Sequence, residues 1–434
     1  MKFYSTNNKL NLVSFRDAVM KGLADDGGLF MPEHIPVSPP SFLRELKKYS
    51  FTEIGFEIAS KFIQNEIPSN DLRKIINEAI NFPAPIVKLD DSLDILELFH
   101  GPTLAFKDFG ARFMAQVMSY FIKDFNYEMN ILVATSGDTG SAVANGFYEA
   151  KGIKVFLLYP KNKVSPLQEK QLTTLDKNIT ALEIDGTFDD CQRLVKSAFI
   201  DDELKSKLNL SSANSISIAR LIPQIFYYFE AYKQISDIDK SVVISVPSGN
   251  LGNLTGGLIA KKMGLPISKF IAATNTNSVF TEYIDSGKFV PRSSVKTFSN
   301  AMDVGNPSNL ARINEIFGND ISLLREVIFS SSYSDDETLA VINAVSKKFN
   351  YTLDPHGAVG YLAFRDYLKN TSQDPCHGII VETAHPAKFK DIVENATSKE
   401  IEMPESLSKC LTLEKRAVEL PNDYASFKAY FLSS

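Results

Sequence analysis

From about residue 95 onward, short apolar runs alternate with longer segments whose apolar residues recur at helical spacing. The runs show no alternation of polar and apolar residues, which is typical of strands buried on both faces of a parallel sheet. They lie at residues 131–135, 154–159, 179–184, 242–246, 270–274 and 378–381. Strands and helices in this order predict an α/β architecture, in which ligands bind beyond the carboxyl ends of the strands.

The region before residue 95 has a different pattern, with apolar residues mainly at helical spacing. Pro83 and Pro85 break that pattern and mark a boundary. We therefore predict a mostly helical N-terminal region at 1–94, an α/β core at 95–390, and a C-terminal extension at 391–434 that packs on the core.

Charge and cysteine content narrow the class of protein. With 46 basic and 52 acidic residues the net charge is −6, which argues against nucleic acid as the main partner. The three cysteines, Cys191, Cys376 and Cys410, are far apart and odd in number, so a disulfide framework is not expected. Residues 1–12 contain no apolar run, and no run is long enough to span a bilayer. We expect a cytoplasmic protein that does not engage a membrane.

The segment 100–110 reads His-Gly-Pro-Thr-Leu-Ala-Phe-Lys-Asp-Phe-Gly and places Lys107 at the start of a predicted amphipathic helix. Phe106 and Phe109 give this lysine apolar neighbours, and desolvation favours an uncharged amine that can act as a nucleophile or form a Schiff base. From spacing alone, a surface lysine lying along a helix start remains the better supported interpretation.

Two turns rich in glycine and small polar residues follow predicted strands. The 134–141 turn reads Ala-Thr-Ser-Gly-Asp-Thr-Gly-Ser, and the 247–253 turn reads Pro-Ser-Gly-Asn-Leu-Gly-Asn. Each leads into a predicted helix, where free backbone N–H groups can face an anion. Neither is a Walker A loop or a dinucleotide fingerprint. Each alone is compatible with an ordinary strand-to-helix turn, but two in one α/β chain favour a phosphate-bearing ligand.

Two further segments carry candidate ligand-binding residues. Ser215 precedes a predicted helix that contains Arg220, and Thr383 follows the last apolar run. A helix start with an arginine suits a phosphate, although from the pattern alone a helix cap with a solvated arginine is the preferred interpretation. Thr383 alone is likewise better explained as a strand-end threonine that bonds its own backbone. The five histidines are scattered and match no metal motif, and no nucleophile elbow is present, so we expect neither a metal site nor a serine hydrolase.

Together these segments resemble the threonine synthase family of pyridoxal-phosphate (PLP) enzymes. The 100–110 segment resembles the motif that carries the cofactor lysine, and the resemblance runs in order from near residue 10 to near residue 390. Its other motifs lie at residues 13–19, 27–32, 135–140, 165–170, 212–215, 246–250, 300–304 and 383–389. The long N-terminal region and the His-Gly-Pro-Thr motif resemble the bacterial and fungal branch of the family.

The resemblance implies a fold of the tryptophan-synthase-β type, known as fold type II. PLP would lie between two open, twisted parallel-sheet α/β domains, which interleave along the core at 95–390, and a mostly helical N-terminal region would precede them.

The resemblance also implies roles for individual residues. Lys107 would form the Schiff base with PLP, Thr383 would hydrogen-bond the pyridine nitrogen, and Asp138 would lie near the 3-hydroxyl. The turn that cradles the PLP phosphate would consist of Gly249, Asn250, Leu251, Gly252 and Asn253. The substrate phosphate would be held by Thr139, Ser215 and Arg220.

Two of these positions depart from the expected pattern. Leu251 stands where the family usually has phenylalanine, but backbone donors rather than this side chain should hold the phosphate. Asp138 stands where more distant relatives of the fold carry asparagine. An ionised carboxylate beside a phenolate is repelled, so a proton is shared or the side chain points elsewhere.

The implied reaction is a PLP-dependent carbon–oxygen lyase reaction that converts O-phospho-L-homoserine and water to L-threonine and phosphate, the last step of threonine biosynthesis. It proceeds by γ-elimination followed by β-addition of water, and we expect a monomer or weak homodimer. Two alternatives remain: a phospholyase or deaminase on the same scaffold, which stops before water addition, and a relative that binds ligand without catalysis.

Overall fold

The computed structural model describes residues 1–125, 127–135, 137–235, 240–370 and 376–433. Ser136 of the 134–141 turn lies outside the described residues. The strands are β1 Phe3–Ser5, β2 Asn8–Val13, β3 Phe30–Pro32, β4 Ile86–Lys88, β5 Leu93–Glu97, β6 Met129–Ala134, β7 Ile153–Pro160, β8 Ile179–Asp185, β9 Asn209–Ser212, β10 Ser241–Pro247, β11 Lys269–Thr274, β12 Ile328–Ser332, β13 Cys376–Glu382 and β14 Val418–Pro421.

Helices connect these strands and cover both sheets. They are α1 Phe15–Lys21, α2 Pro40–Arg44, α3 Phe51–Ile63, α4 Ser69–Ala79, α5 Lys107–Ile122, α6 Asp138–Gly146, α7 Pro166–Thr173, α8 Phe188–Ile200, α9 Asp202–Lys207, α10 Ile218–Leu221, α11 Pro223–Gln234, α12 Gly252–Lys262, α13 Val279–Ser286, α14 Leu310–Ile316, α15 Ile321–Val327, α16 Asp335–Phe349, α17 Pro355–Asn370, α18 Lys390–Thr397, α19 Glu405–Thr412 and α20 Tyr424–Ser433. Short 3-10 turns occur at Leu46–Lys48, Gln64–Glu66, Asn300–Met302 and Pro386–Phe389.

The larger sheet has six strands in the order β12-β11-β10-β13-β5-β4. All neighbouring pairs are parallel except the edge pair of β4 and β5. Its central strands are buried along nearly their whole length, which is why they appear in the sequence as continuous apolar runs.

The smaller sheet has five parallel strands in the order β14-β8-β7-β6-β9. The predicted pair of parallel-sheet α/β units is therefore confirmed, and so are the six strands that the apolar runs predict. The last strand, β14, comes from the C-terminal residues and pairs with β8 at the edge of this sheet.

The N-terminal region contains α1 to α4, as expected, and also a small antiparallel sheet in the order β2-β1-β3 that the sequence pattern does not reveal. Helix α1 begins after Ser14, whose side chain forms a capping box with Asp17. Buried side chains of this region, such as Phe15 and Phe62, share one apolar core with the interior of both larger sheets. The three-part division at 1–94, 95–390 and 391–434 stays a prediction.

Among the described residues, no helix combines the length and apolar character needed to cross a bilayer.

Candidate active site

A cavity of about 260 Å³ lies at the carboxyl ends of strands from both parallel sheets. Thr135 follows β6 of the smaller sheet, while Pro247 and Thr383 lie at the ends of β10 and β13 of the larger sheet, and all three line the cavity. Parallel sheets place their strand ends together in this way, which brings residues far apart in sequence to one site.

Lys107 is the first residue of α5 and lines this cavity. The loop before it is held by Asp108, which accepts hydrogen bonds from the Thr103 backbone N–H at 2.8 Å and the Thr103 hydroxyl at 2.7 Å. A Cβ at Gly101 would lie only 2.4 Å from an Asp108 oxygen, so this glycine is required by close approach. Most of the 100–110 motif therefore serves to place Lys107.

Burial lowers the pKa of Lys107 below the usual range of a lysine, and the carboxylate of Asp138 opposes that shift. The Lys107 Nζ lies 3.4 Å from Asp138 Oδ2. The amine is thus shielded from water and lies beside a carboxylate that stabilises its charged form. The surface-lysine interpretation of Lys107 does not apply.

The 247–253 turn presents a continuous row of backbone donors. The N–H groups of Gly249, Asn250, Leu251, Gly252 and Asn253 have no acceptor among the described residues. All five residues line the cavity, at the N-terminus of α12. Such a row of donors at a helix start is suited to a phosphate group.

The side chains of this turn brace it rather than face a ligand. Asn253 Nδ2 donates to the Pro247 carbonyl at 2.7 Å, and Asn250 Oδ1 accepts from the Ser308 N–H at 2.6 Å. Leu251 is buried and adopts the left-handed region at φ 62°, which turns the chain into α12. Its departure from phenylalanine leaves the backbone donors in place.

The 134–141 turn is built differently. Gly137 has φ 146°, and a Cβ there would meet Gln168 at 2.6 Å. The Thr135 hydroxyl accepts hydrogen bonds from the N–H groups of Gly137 and Gly140 at 3.0 and 2.8 Å. This arrangement places Asp138 at the first position of α6, where it lines the cavity.

Asp138 is buried between two lysines. Its Oδ1 accepts from Lys388 Nζ at 2.7 Å and from Gln168 Nε2 at 3.2 Å, and its Oδ2 faces Lys107. Burial alone would raise the pKa of Asp138, but the ammonium groups of Lys388 and Lys107 hold it well below its usual range. The carboxylate is therefore ionised and paired, an arrangement that the sequence did not predict.

Arg220 supplies a buried positive charge to the cavity, and among the described residues it forms no ion pair with a carboxylate. It is 3% exposed, and among the described residues its Nη1 donates only to the Ala213 carbonyl, at 2.6 Å, while its Nε has no partner. Burial lowers the pKa of Arg220 to about 10, so it stays charged at neutral pH. An unpaired buried guanidinium in a cavity is suited to an anion.

The remaining predicted site residues also line the cavity. The Ser215 hydroxyl accepts a hydrogen bond from the Asn250 side chain, which leaves its own proton free to donate. The side-chain hydroxyls of Thr139 and Thr383 have no partner among the described residues. The structure thus brings every predicted site residue to one cavity.

Sequence reasoning missed several residues at or beside this cavity. Lys388 and Gln168 lie within motifs that resemble the family, but nothing in their spacing shows a contact with Asp138. His356 lines the cavity, with its Nδ1 2.7 Å from Asp354 Oδ1 and its Nε2 accepting from the Ala301 N–H at 3.3 Å. Its surroundings become visible only in the fold.

Arg312 is a further buried cation, beneath the 247–253 turn. Its guanidinium donates to the carbonyls of Ile216 and Phe30 at 2.6 and 3.0 Å and to Asn309 Oδ1 at 2.8 Å. Asn309 Nδ2 in turn donates to the Asn250 carbonyl at 2.9 Å. This network fastens the N-terminal segment to the turn.

These groups fit PLP. The buried amine of Lys107 suits its aldehyde, the five free N–H groups of the 247–253 turn suit its phosphate, and the unpartnered Thr383 hydroxyl suits its ring nitrogen. A family model described as "Pyridoxal-phosphate dependent enzyme" matches residues 85–380. The fold and the site therefore define a PLP-dependent enzyme of fold type II.

Two other family models cover the flanking residues. "Threonine synthase N terminus" matches residues 2–80, and "Threonine synthase, C-terminal" matches residues 357–431. The chain belongs to the threonine synthase family.

Similarity to individual members extends over the whole chain. The threonine synthase of Escherichia coli strain K12 is 44% identical over 434 residues, covering 100% of both chains. The crystal structure of threonine synthase from Escherichia coli matches with a TM-score of 0.93, 44% identity and 100% of each chain covered. The structure of PLP-bound threonine synthase from Brucella melitensis matches with a TM-score of 0.93 and 35% identity, covering 99% of this chain and 98% of that one.

Proposed function

We propose that this cavity converts O-phospho-L-homoserine and water to L-threonine and phosphate. One observation carries the proposal: the buried amine of Lys107 shares a cavity with two separate anion-binding features, the 247–253 turn and Arg220. A PLP enzyme that acts on a phosphorylated amino acid needs both, one for the cofactor phosphate and one for the substrate phosphate.

In this proposal, PLP is held by groups that line the cavity. Gly249, Asn250, Leu251, Gly252 and Asn253 bind the PLP phosphate through their backbone N–H groups, and the Thr383 hydroxyl binds the ring nitrogen. When bound, PLP supplies an electron sink that stabilises negative charge at the substrate Cα. Because Thr383 is uncharged, it does not enforce a protonated ring.

Lys107 moves protons in the reaction. Burial favours its uncharged amine, which can take the proton from the substrate Cα once the substrate amine has displaced it. The same nitrogen can return a proton at Cγ after the phosphate has left. Asp138, 3.4 Å away, stabilises the lysine nitrogen whenever it carries a positive charge.

Arg220 and Ser215 bind the γ-phosphate of the substrate, together with Thr139 at the start of α6. Arg220 brings a full charge without a competing carboxylate, and the Ser215 hydroxyl is oriented by the Asn250 side chain. The two anion-binding features are thereby connected, since Asn250 belongs to the 247–253 turn.

The test combines trapping of the cofactor with analysis of products. Borohydride reduction of the PLP-loaded protein, followed by peptide mass spectrometry, should place the cofactor on Lys107. Incubation with O-phospho-L-homoserine should release threonine and phosphate in equal amounts. Formation of 2-oxobutyrate without threonine would assign the chain to the phospholyases, and label at another lysine would remove Lys107 from its role.

We also infer a cytoplasmic location and a monomer or weak homodimer. The free thiols of Cys191, Cys376 and Cys410 support a reducing compartment. Analytical ultracentrifugation over a range of protein concentrations tests the oligomeric state, and a tight dimer at all concentrations would contradict it.

A further inference from the structure

Lys388 is a second buried lysine beside the cavity, and the reaction described above gives it no role. It lies in the 3-10 turn Pro386–Phe389 that follows β13, and its side chain is 0% exposed. Its Nζ donates to Asp138 Oδ1 at 2.7 Å and to the Thr103 carbonyl at 3.0 Å. A fully buried ammonium is costly unless it is paired, so this position has a specific purpose.

The two oxygens of Asp138 face different lysines. Oδ1 lies 2.7 Å from the Nζ of Lys388, whereas Oδ2 lies 3.4 Å from the Nζ of Lys107. The charge on the Lys107 nitrogen changes when it joins the cofactor and when it moves a proton. Lys388 does not join the cofactor, and its Nζ forms the shorter of the two lysine contacts to the buried carboxylate.

We infer that Lys388 is a positioning residue that holds the Asp138 carboxylate in place and offsets part of its negative charge, and thereby sets the protonation of the cofactor-bound Lys107 nitrogen. The inference rests on the proposed function, because it assumes that PLP is joined to Lys107. Lys388 acts through Asp138 and does not contact the reacting atoms itself.

Two other charged or titratable side chains, Arg220 and His356, act on Lys107 and Asp138. Arg220 acts on Lys107 and stays protonated, since the pKa of its guanidinium falls only to about 10 on burial. His356 faces Asp138 from α17, and its Nε2 accepts the Ala301 N–H at 3.3 Å while its Nδ1 lies 2.7 Å from Asp354 Oδ1.

Asp108 is the remaining acid near Lys388. Burial raises the pKa of Asp108 to about 6, and both of its oxygens are occupied by hydrogen bonds from Thr103. It therefore serves the loop before Lys107, and among the described residues it forms no ion pair with Lys388.

The experiment is a double-mutant cycle read by the absorbance of the PLP-loaded protein as a function of pH. In Lys388→Met, the Asp138 carboxylate acts on the Lys107 nitrogen without an opposing charge. We expect the pH at the midpoint of the absorbance change to rise by roughly 1 pH unit or more. We also expect PLP to dissociate more readily. The double variant Asp138→Asn/Lys388→Met removes both charges, so its midpoint and PLP affinity should return towards the wild type.

Two further variants complete the design. Lys388→Arg keeps the charge and should retain most of the PLP affinity. Lys390→Met is the matched control, because Lys390 pairs with Glu394 on α18 and should leave the midpoint unchanged. If Lys388 served only to brace the Thr103 carbonyl, its loss would be equally harmful with asparagine or aspartate at position 138, and that additive result would overturn the inference.

Each outcome decides between the inference and the function on which it rests. If Lys388→Met does not fold, the double variant decides: a folded, PLP-loaded double variant supports the charge pair, and an unfolded one overturns it. Borohydride trapping is run on the wild type in parallel. Absence of label at Lys107 would refute the proposed function, whereas label at Lys107 with an additive cycle would refute only the role of Lys388.

Discussion

The 247–253 turn and the 134–141 turn have the same position in their sheets but opposite electrostatics. Each follows a buried parallel strand, β10 or β6, and each leads into a helix that starts at the cavity. The first offers backbone N–H groups and no charged side chain. The second places the ionised carboxylate of Asp138 at the first helical position, between Lys107 and Lys388.

The difference shows how one local motif serves two purposes. A helix N-terminus with free donors attracts an anion, and the 247–253 turn keeps those donors free by using its asparagine side chains as braces. In the 134–141 turn the negative charge at the helix start is the protein's own Asp138 carboxylate. The 134–141 turn therefore positions Lys107 and Lys388, whereas the 247–253 turn is the one we propose for the cofactor phosphate.

The largest effect is expected from removal of the Lys107 amine, which lies beside Asp138 of the 134–141 turn. Lys107→Ala should lower kcat by a factor on the order of 10³ or more, since a proton-transfer group is lost together with the covalent link. PLP should still bind, because the 247–253 turn is untouched. Assays of product formation measure kcat, and titration of the dialysed protein with PLP measures cofactor binding. Turnover close to that of the wild type would refute the role of Lys107.

Arg220→Ala tests the second anion-binding feature apart from the first. Loss of a charge-assisted contact of about 1.5–3 kcal/mol corresponds to an increase of roughly 10- to 150-fold in KM for O-phospho-L-homoserine. The affinity for PLP should change little. Steady-state kinetics and a PLP titration separate the two, and an equal loss of both would mean that the two anions do not have separate sites.

Gly249→Ala tests whether the 247–253 turn needs its close packing. A Cβ at Gly249 would lie 2.7 Å from the Ala301 carbonyl oxygen and 2.9 Å from Met302 Cα, both backbone atoms. Overpacking of about 1–3 kcal/mol should weaken PLP binding by roughly 5- to 150-fold.

Gly252→Ala is the matched control in the same turn, since its Cβ would approach nothing nearer than Gln224 at 3.4 Å. Its PLP affinity should remain near that of the wild type. Equal losses in Gly249→Ala and Gly252→Ala would argue against a role for the close approach.

The smallest effect is expected at Thr383. Thr383→Val keeps the shape and removes the hydroxyl, and a neutral hydrogen bond contributes only about 1 kcal/mol, or roughly fivefold in PLP affinity. Thr383→Ser keeps the hydroxyl and should restore the affinity. PLP titration followed by absorbance measures both variants, and a valine variant that binds as well as the serine variant would remove this contact.

The sequence predicted the parts of the fold that rest on local patterns. Apolar runs identified six buried strands. Strands such as β1 and β14 escaped notice because they are three and four residues long, too short for periodicity to carry a signal.

Site residues were predictable where they form one contiguous sequence motif. They were not predictable where their contacts join residues that are far apart in the sequence. The 247–253 turn was visible because glycine and small polar residues follow a strand. The pairing of Asp138 with Lys388 was not, because 250 residues separate them and only the meeting of the two sheets brings them to 2.7 Å. Burial of Lys107 likewise follows from tertiary packing, which spacing alone does not reveal.

The strand order also dictates when this enzyme can assemble on the ribosome. Strands β6 to β9 of the smaller sheet are consecutive in the chain and need no later strand in order to pair with one another. In the larger sheet, β13 lies between β10 and β5 and is the last of the six to be synthesised. The facing edges of β5 and β10 therefore stay unpaired in the nascent chain from the synthesis of β10 until that of β13, and chaperone contacts should concentrate there until β13 pairs with both.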